Sequence, residues 1–570
     1  MRVKVYQRVV SYRISLLLIV TLTTLIAGNF SIAKAKTEQD LRLVLQITFD
    51  GLRADLINRY SNGFGKGGFR LLMEKGTYYT KTHYQYANTE TIVGHATLAT
   101  GTFPSQHGMV GNVWFDREAG ELAYNIEDPY HPIIPTRQHQ TKGEQVDPAQ
   151  KKSRTQGRSP AVILVPALAD SLAAYYGGLS KIFGVSGKDR SAVSMAGHAG
   201  KAFWYSTNTG DFVTSTYYYD AYPDWVTQWN DQRKAEGYAG KSWSLLNNAT
   251  TYLLTDQDDR PYEADLRGYG RVFPHPFGKA DDKLFYTRIL VSPVGDQLLL
   301  DFSKALVLDE KLGQDEIPDY LSISFSAVDA VNHFFGPSSL ENEDVVVQLD
   351  RILSDLLAFI DKAVGLKYTL IVLSADHGIA DMPEYMTELG YKAGRLDPDQ
   401  IVATANKIGQ KFGIDEVAVR FFYRPYLYLN DEKIVAAKLD RIKVEHAIAD
   451  ALTDFDRIAL AAASSRLTAQ QSNPLINKVR NNHHVSRSGD IYIIQEPYWF
   501  LFDKGPVVAM HGSPWRYDTH VPIVFMGFGI QPKMVHRRVH PVDVAPTIAA
   551  ILGMTPPGSA QGSLLAEIFQ

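Results

Sequence analysis

The sequence predicts an α/β fold: a mostly parallel central sheet with helices on both faces and inserted cap and lid segments. Three apolar runs carry that prediction, Leu41 to Phe49, Tyr320 to Phe325 and Tyr368 to Leu373, each followed closely by an aspartate, Asp50, Asp329 or Asp376. Apolar runs of this length read as strands buried on both faces. Between the second and third, Val345, Val346, Leu349, Ile352, Leu353, Leu356, Leu357 and Ile360 recur at helical spacing. Strand, helix and strand make a parallel crossover. Such sheets bind ligands beyond the carboxyl ends of their strands, where all three aspartates fall.

At the N-terminus, Arg2, Lys4, Arg8 and Arg13 precede an apolar run from Ile14 to Ala27 and then Ala33-Lys34-Ala35. This order predicts a secretory signal peptide over residues 1–35 and a mature domain over 36–570, in the periplasm or secreted. The apolar run is shorter than the roughly 20 residues a spanning helix needs, and no later stretch is long and apolar enough. A helix is expected from Ala54 to Tyr60. Gly63-Phe-Gly-Lys-Gly-Gly68 matches a dinucleotide-binding pattern but follows a predicted helix rather than a strand, so it reads as a flexible turn. Three segments read as insertions: a polar excursion at 126–159, a Tyr- and Trp-rich lid at 202–301 and a mixed second cap at 381–497. A last strand at Val521–Gly527 and a helix ended by Gly553 close the chain.

The chain has 570 residues, 45% of them hydrophobic, which supplies ample core. Its formal net charge of -4 gives no global attraction for nucleic acid or an acidic membrane surface, so any anion must be bound locally. There is no cysteine. Disulfide and thiolate chemistry are thereby excluded, and a transition metal would need imidazole and carboxylate ligands, as suits zinc.

Thr91 stands at the expected start of a helix, among backbone N–H groups without intrahelical partners, where negative charge is favoured. A plain N-cap is the simpler reading of Thr91 alone. The wider pattern adds Asp50, Asp329 with His333, Asp376 with His377, and His511. Asp329 and His333 are four apart, so on a helical turn they share one face and can hold one ion. Six such ligands fit two metals, an arrangement in which one ion activates the nucleophile and the other the leaving oxygen. Lys188 and Arg190 would point to the same side of an extended segment, presenting two cations to one phosphate. Strings typical of serine hydrolases, zincins and P-loop enzymes are absent.

Several of these motifs occur in one order: Thr-Phe-Asp50-Gly-Leu-Arg; Thr91 four residues before His95; His-Gly-Met-Val-Gly-Asn112; Lys188-Asp-Arg190 followed by Gly197-His; Ser326-x-x-Asp329-x-x-x-His333; Ser374-Ala-Asp376-His377-Gly; and His511-Gly-Ser-Pro ending in His520-Val-Pro. Over the whole mature chain they resemble the alkaline phosphatase superfamily, most closely its PafA-type, phosphate-irrepressible branch, related to nucleotide pyrophosphatase/phosphodiesterases. The resemblance implies Thr91 as nucleophile and two Zn2+ ions, one held by Asp50, Asp376 and His377 beside Thr91, the other by Asp329, His333 and His511. Asn112, Lys188 and Arg190 would contact the non-bridging phosphate oxygens. His520 competes with His511 for the last ligand position, and the His-Gly context favours His511. A monomer is expected from the same resemblance.

A threonine hydroxyl is too weakly acidic to attack unaided at neutral pH, so its activation falls to a bound metal, and a phosphothreonine intermediate follows. Two cations match the extra charge of a monoester dianion, which favours an exported alkaline phosphatase acting on small-molecule phosphate monoesters. The alternatives are a phosphodiesterase or nucleotide pyrophosphatase of the same superfamily, and a non-catalytic exported protein that keeps the fold to bind a partner. A sulfatase is disfavoured by Thr at the nucleophile position and the lack of Cys, and a cytosolic mutase by the signal peptide.

Overall fold

The run Leu43–Phe49 (β1) is buried along its whole length because it lies in the middle of a nine-stranded sheet. The structure is a computed structural model, and it describes residues 41–136, 145–414, 417–468, 472–501 and 505–570. The expected signal segment, residues 1–35, lies outside the described residues. In chain order the other sheet strands are Thr77–His83 (β2), Ile182–Ser186 (β3), Lys201–Tyr205 (β4), Phe212–Val213 (β5), Asp319–Phe325 (β6), Thr369–Ser374 (β7), His520–Gly527 (β8) and Lys533–Val539 (β9). Their spatial order is β9-β2-β8-β7-β1-β6-β3-β4-β5. Strands β8 and β5 run antiparallel to their neighbours and the remaining pairings are parallel.

The two faces of the sheet are packed separately. Leu43, Leu45, Ile47 and Phe49 of β1 enter one apolar cluster and Val44 the other, while β7 divides Ile371 and Leu373 from Leu370 and Val372 in the same way. That period of two is the pleat, invisible in the sequence because both faces are covered. The helix expected between the second and third runs is Leu340–Ala363, begun by the Ser339 hydroxyl, which accepts from Asn342 N–H at 3.0 Å.

Two expected insertions take a definite form. Within 381–497, strands Val419–Tyr423, Tyr426–Leu429, Ile491–Gln495 and Ile458–Ala463 make a separate four-stranded sheet with its own apolar cluster. The lid expected from residue 202 does not begin there. Residues 201–205 and 212–213 are strands of the central sheet, and 293–309 is a helix. Burial on both faces of β4 removes the alternation that marks a half-exposed strand, so its aromatic residues resemble a loop. The Gly63–Gly68 segment is likewise not a free turn: Gly65 and Phe69 donate their N–H groups to the buried Asp350 carboxylate at 2.7 and 2.8 Å.

Candidate active site

Parallel register sets the depth of every group in the site. Phe49 pairs with Phe325, Thr48 with Ser374, and Ser186 with Ser324, so Asp50, Asp329, Asp376 and Lys188 all emerge beyond the same edge of the sheet. Gly51, at φ +73°, makes the convergence possible, since a Cβ there would stand 2.9 Å from that of Asp329. Its N–H donates to Asp376 Oδ1 at 3.1 Å.

Thr91 is the first residue of helix Thr91–Thr100 (α1), with Glu90 as the capping position, so it is not an N-cap. The helix lies directly on the Asp376 backbone: a Cβ on Gly94 would come 2.0 Å from Asp376 O. This contact leaves Thr91 Oγ1, fully buried, 3.4 Å from His377 Nε2. Asn112 returns to the same helix end, its Oδ1 accepting from Ile92 N–H at 3.1 Å, while its own N–H donates to Glu90 at 2.5 Å. With Oδ1 engaged, the amide NH2 of Asn112 is left as a donor toward an anion.

Helix Ala327–Phe335 (α2) carries Asp329 and His333 on one face, as their spacing predicts, and His333 Nε2 is 3.3 Å from Asp329 Oδ2. His377 and His511 stack at 3.6 Å between centroids. All three imidazoles are oriented alike: Nδ1 donates to a backbone carbonyl, Ala509 for His333, Gly378 for His377 and Thr89 for His511, at 2.8–2.9 Å. Each Nε2 is thereby the nitrogen turned into the site, the one available to ligate a metal. Opposite them, Oδ1 of Asp50 and Oδ1 of Asp329 are buried and accept no hydrogen bond, while Asp50 Oδ2 faces Lys188 Nζ and Asp376 Oδ2 faces His95 Nδ1. Buried carboxylates with too few donors for their oxygens, facing three imidazole Nε2 atoms, fit divalent metal ions.

Ligand atoms of Asp329, His333 and His511 lie within 4.8 Å of one another, as do those of Asp50, Asp329 and His377. Asp376 joins the second group through His377, 3.3 Å away. His520 takes no part. It stacks on His83 at 4.6 Å and faces Thr80 O. Burial among these acids, Asp376 foremost, pushes Asp50 up to about 8. Asp329 is also raised by burial, but His333 and Lys188 outweigh it and hold it well below the usual carboxylate range. Burial, with His377 adjacent, drives His511 well below the usual imidazole value.

Lys188 and Arg190 reach the site by a different geometry from the extended one expected. Lys188 is extended, but Arg190 lies in the first turn of helix Asp189–Ala196, because the strand ends at Ser186. Lys188 Nζ bridges Asp50, at 2.8 Å, and Asp329. Arg190 pairs with Asp147 at 2.7 Å and faces Tyr124.

Other contributors support the site from beyond the strand ends. His95 donates from Nδ1 toward Thr91 O at 2.8 Å, with Asp376 Oδ2 3.1 Å away, tying the helix to that carboxylate. Its place four residues after Thr91 was the available clue. Glu90 and Asp147 act from a helix cap and a long polar loop, where acids are ordinary.

Fold and site together define a hydrolase of phosphoric esters built on the alkaline phosphatase scaffold. The chain belongs to the type I phosphodiesterase / nucleotide pyrophosphatase family, whose model matches residues 44–514. It is 31% identical over 553 residues to alkaline phosphatase PafA of Elizabethkingia meningoseptica, covering 95% of this chain and 97% of that one. It is likewise 31% identical over 541 residues to alkaline phosphatase PhoV of Synechococcus elongatus, covering 93% of each. A protein named calcium-transporting ATPase from Myroides odoratus is 32% identical over 549 residues, 95% of this chain and 97% of that protein. The crystal structure of wild-type PafA superposes with a TM-score of 0.83 at 29% identity, over 93% of this chain and 99% of that one. No helix among the described residues is long and apolar enough to cross a membrane.

Proposed function

We propose that the chain is an exported, zinc-dependent alkaline phosphatase that hydrolyses small-molecule phosphate monoesters through a phosphothreonine at Thr91. One observation carries this reading: three imidazole Nε2 atoms and three buried aspartate carboxylates converge beside a fully buried threonine hydroxyl. Asp50, Asp376 and His377 would hold one Zn2+, and Asp329, His333 and His511 the other. When bound, the ions supply positive charge that favours the ionised Thr91 hydroxyl and the departing alkoxide.

The chain's own groups do the rest. The α1 N-terminus presents backbone N–H groups at the position of attack. Asn112, fixed by Ile92 and Glu90, directs its amide at a non-bridging oxygen. Lys188 and Arg190 hold the remaining negative charge, which supports a dianionic monoester over a diester monoanion. Positioning and charge are most of what phosphoryl transfer requires. A monomer is part of the proposal. The remainder of the proposal is a cleaved segment 1–35 and a periplasmic or secreted domain 36–570.

The family's description favours a second reading, a phosphodiesterase. Phenyl phosphate and methyl phenyl phosphate, assayed on zinc-loaded protein, separate the two. A higher kcat/KM on phenyl phosphate supports the monoesterase; a preference for the methyl-capped diester replaces it with the second reading.

A further inference from the structure

Helix α2 carries Asp329 and His333 yet lacks a cap of its own. Its N-cap residue, Ser326, places no side-chain oxygen on the helix's first N–H groups. Those groups have no intrahelical partners, so an acceptor has to come from another element. Asp296, on helix Pro293–Asp309, supplies it: Oδ1 accepts from Ser326 N–H at 2.9 Å and from Ala327 N–H at 3.2 Å. Asp296 is 2% exposed, and its Oδ2 is buried without a hydrogen-bond partner. A carboxyl buried with one oxygen unused is a cost to the fold, and it calls for a reason beyond packing.

The reason lies on the far side of Ser326. Its Oγ is 3.4 Å from Ser186 Oγ, which accepts from Lys188 N–H at 3.0 Å. Gly187 lies against the same serine, since a Cβ there would stand 2.9 Å from Ser326 Oγ. One short chain of contacts, Asp296 to Ser326 to Ser186 to Lys188, therefore fixes the start of α2 and the backbone of Lys188 together. Asp329 is the third residue of α2, so a shift of the first turn moves its carboxylate directly, and His333 follows on the same face. Groups of a working site have to be held within about 0.5 Å, and supports behind the ligands do the holding. We infer that Asp296 is a positioning residue for the Asp329–His333 metal pair, acting through Ser326 and Ala327 and keeping that pair in register with Lys188. This inference rests on the zinc reading of the same site.

The test pairs competition of the zinc-loaded chain against a chelator of known affinity with amide hydrogen exchange over residues 319–335, in wild type, Asp296→Ala, Asp296→Asn and Asp296→Glu. Asp296→Ala should weaken one zinc equivalent about tenfold and leave the other unchanged, with faster exchange confined to the start of α2. Asp296→Asn still offers one oxygen to both N–H groups and should hold zinc near the wild-type affinity. Asp296→Glu keeps the carboxylate but displaces it by a methylene, so it should weaken the same equivalent, and it carries the test if the alanine variant does not fold. Equal weakening of both equivalents, or of neither, overturns the inference, as does an asparagine variant that behaves like alanine. Wild type that binds no zinc defeats the metal reading instead, and the exchange pattern then still decides whether Asp296 holds the helix end.

Discussion

Thr91 Oγ1 and His377 Nε2 lie 3.4 Å apart in a pocket where both side chains are fully buried. On the proposed reading Nε2 of that imidazole is a metal ligand, so it is not available as the base for the hydroxyl. Thr91→Ala should therefore lower turnover on the order of 10³-fold or more while leaving bound zinc and the melting temperature near wild type. Steady-state rates with elemental analysis check this. Retained activity removes Thr91 from the chemistry.

Asp147 and Arg190 give a second prediction. The 2.7 Å pair fixes a guanidinium that would otherwise sample several rotamers in a wide cleft. Asp147→Asn should keep the hydrogen bond and lose the charge, lowering kcat/KM on phenyl phosphate by about tenfold or less. The effect should vanish in an Arg190→Ala background, which a double-mutant cycle measures.

Metal removal follows from the packing of buried acids. Asp50, Asp329 and Asp376 are each at most 1% exposed. Without ions their mutual repulsion is relieved only by Lys188 and the imidazoles, so a chelator should abolish turnover and lower the melting temperature. Zinc should restore both at about two equivalents per chain. His511→Ala should lose one equivalent, while His520→Ala, stacked on His83, should lose none.

Away from the site, Glu263 is 4% exposed, and neither of its oxygens accepts a hydrogen bond. Burial, followed by the nearby Glu341, pushes it from 4.5 up to about 9. A carboxyl raised on folding keeps its proton in the native chain while the unfolded chain releases it. Its contribution to stability is complete below about 4.5 and is lost as pH climbs to about 9. Glu263→Gln should thus be neutral in acid and stabilise by roughly 1–3 kcal/mol near pH 9. Denaturant melts at two pH values test this.

The sheet was legible in the sequence because its central strands are unbroken apolar runs ending in aspartates, and the crossover helix because one stripe of it is apolar. The metal-ligand candidates were legible for a related reason: strand ends fix where such residues emerge. Strand β4 was not, since two-sided burial leaves no alternation at Lys201–Tyr205. The helix Pro293–Asp309 was hidden inside an aromatic-rich stretch, although Leu298, Leu299, Phe302, Leu306 and Val307 form its buried side. Arg190 was placed on an extended segment because nothing in Gly187-Lys188-Asp189 announces that a helix starts there. Asp147 and Glu90 meet their partners across sequence separations that no local pattern encodes.

The central claim is that Thr91 itself carries the phosphoryl group between substrate and water. Acid quenching of zinc-loaded protein during turnover of phenyl phosphate, followed by peptide mass spectrometry, tests it most directly. The account predicts phosphate on the peptide containing Thr91, and none in Thr91→Ala. Turnover with no phosphorylated residue, or with the phosphate on another side chain, would contradict it.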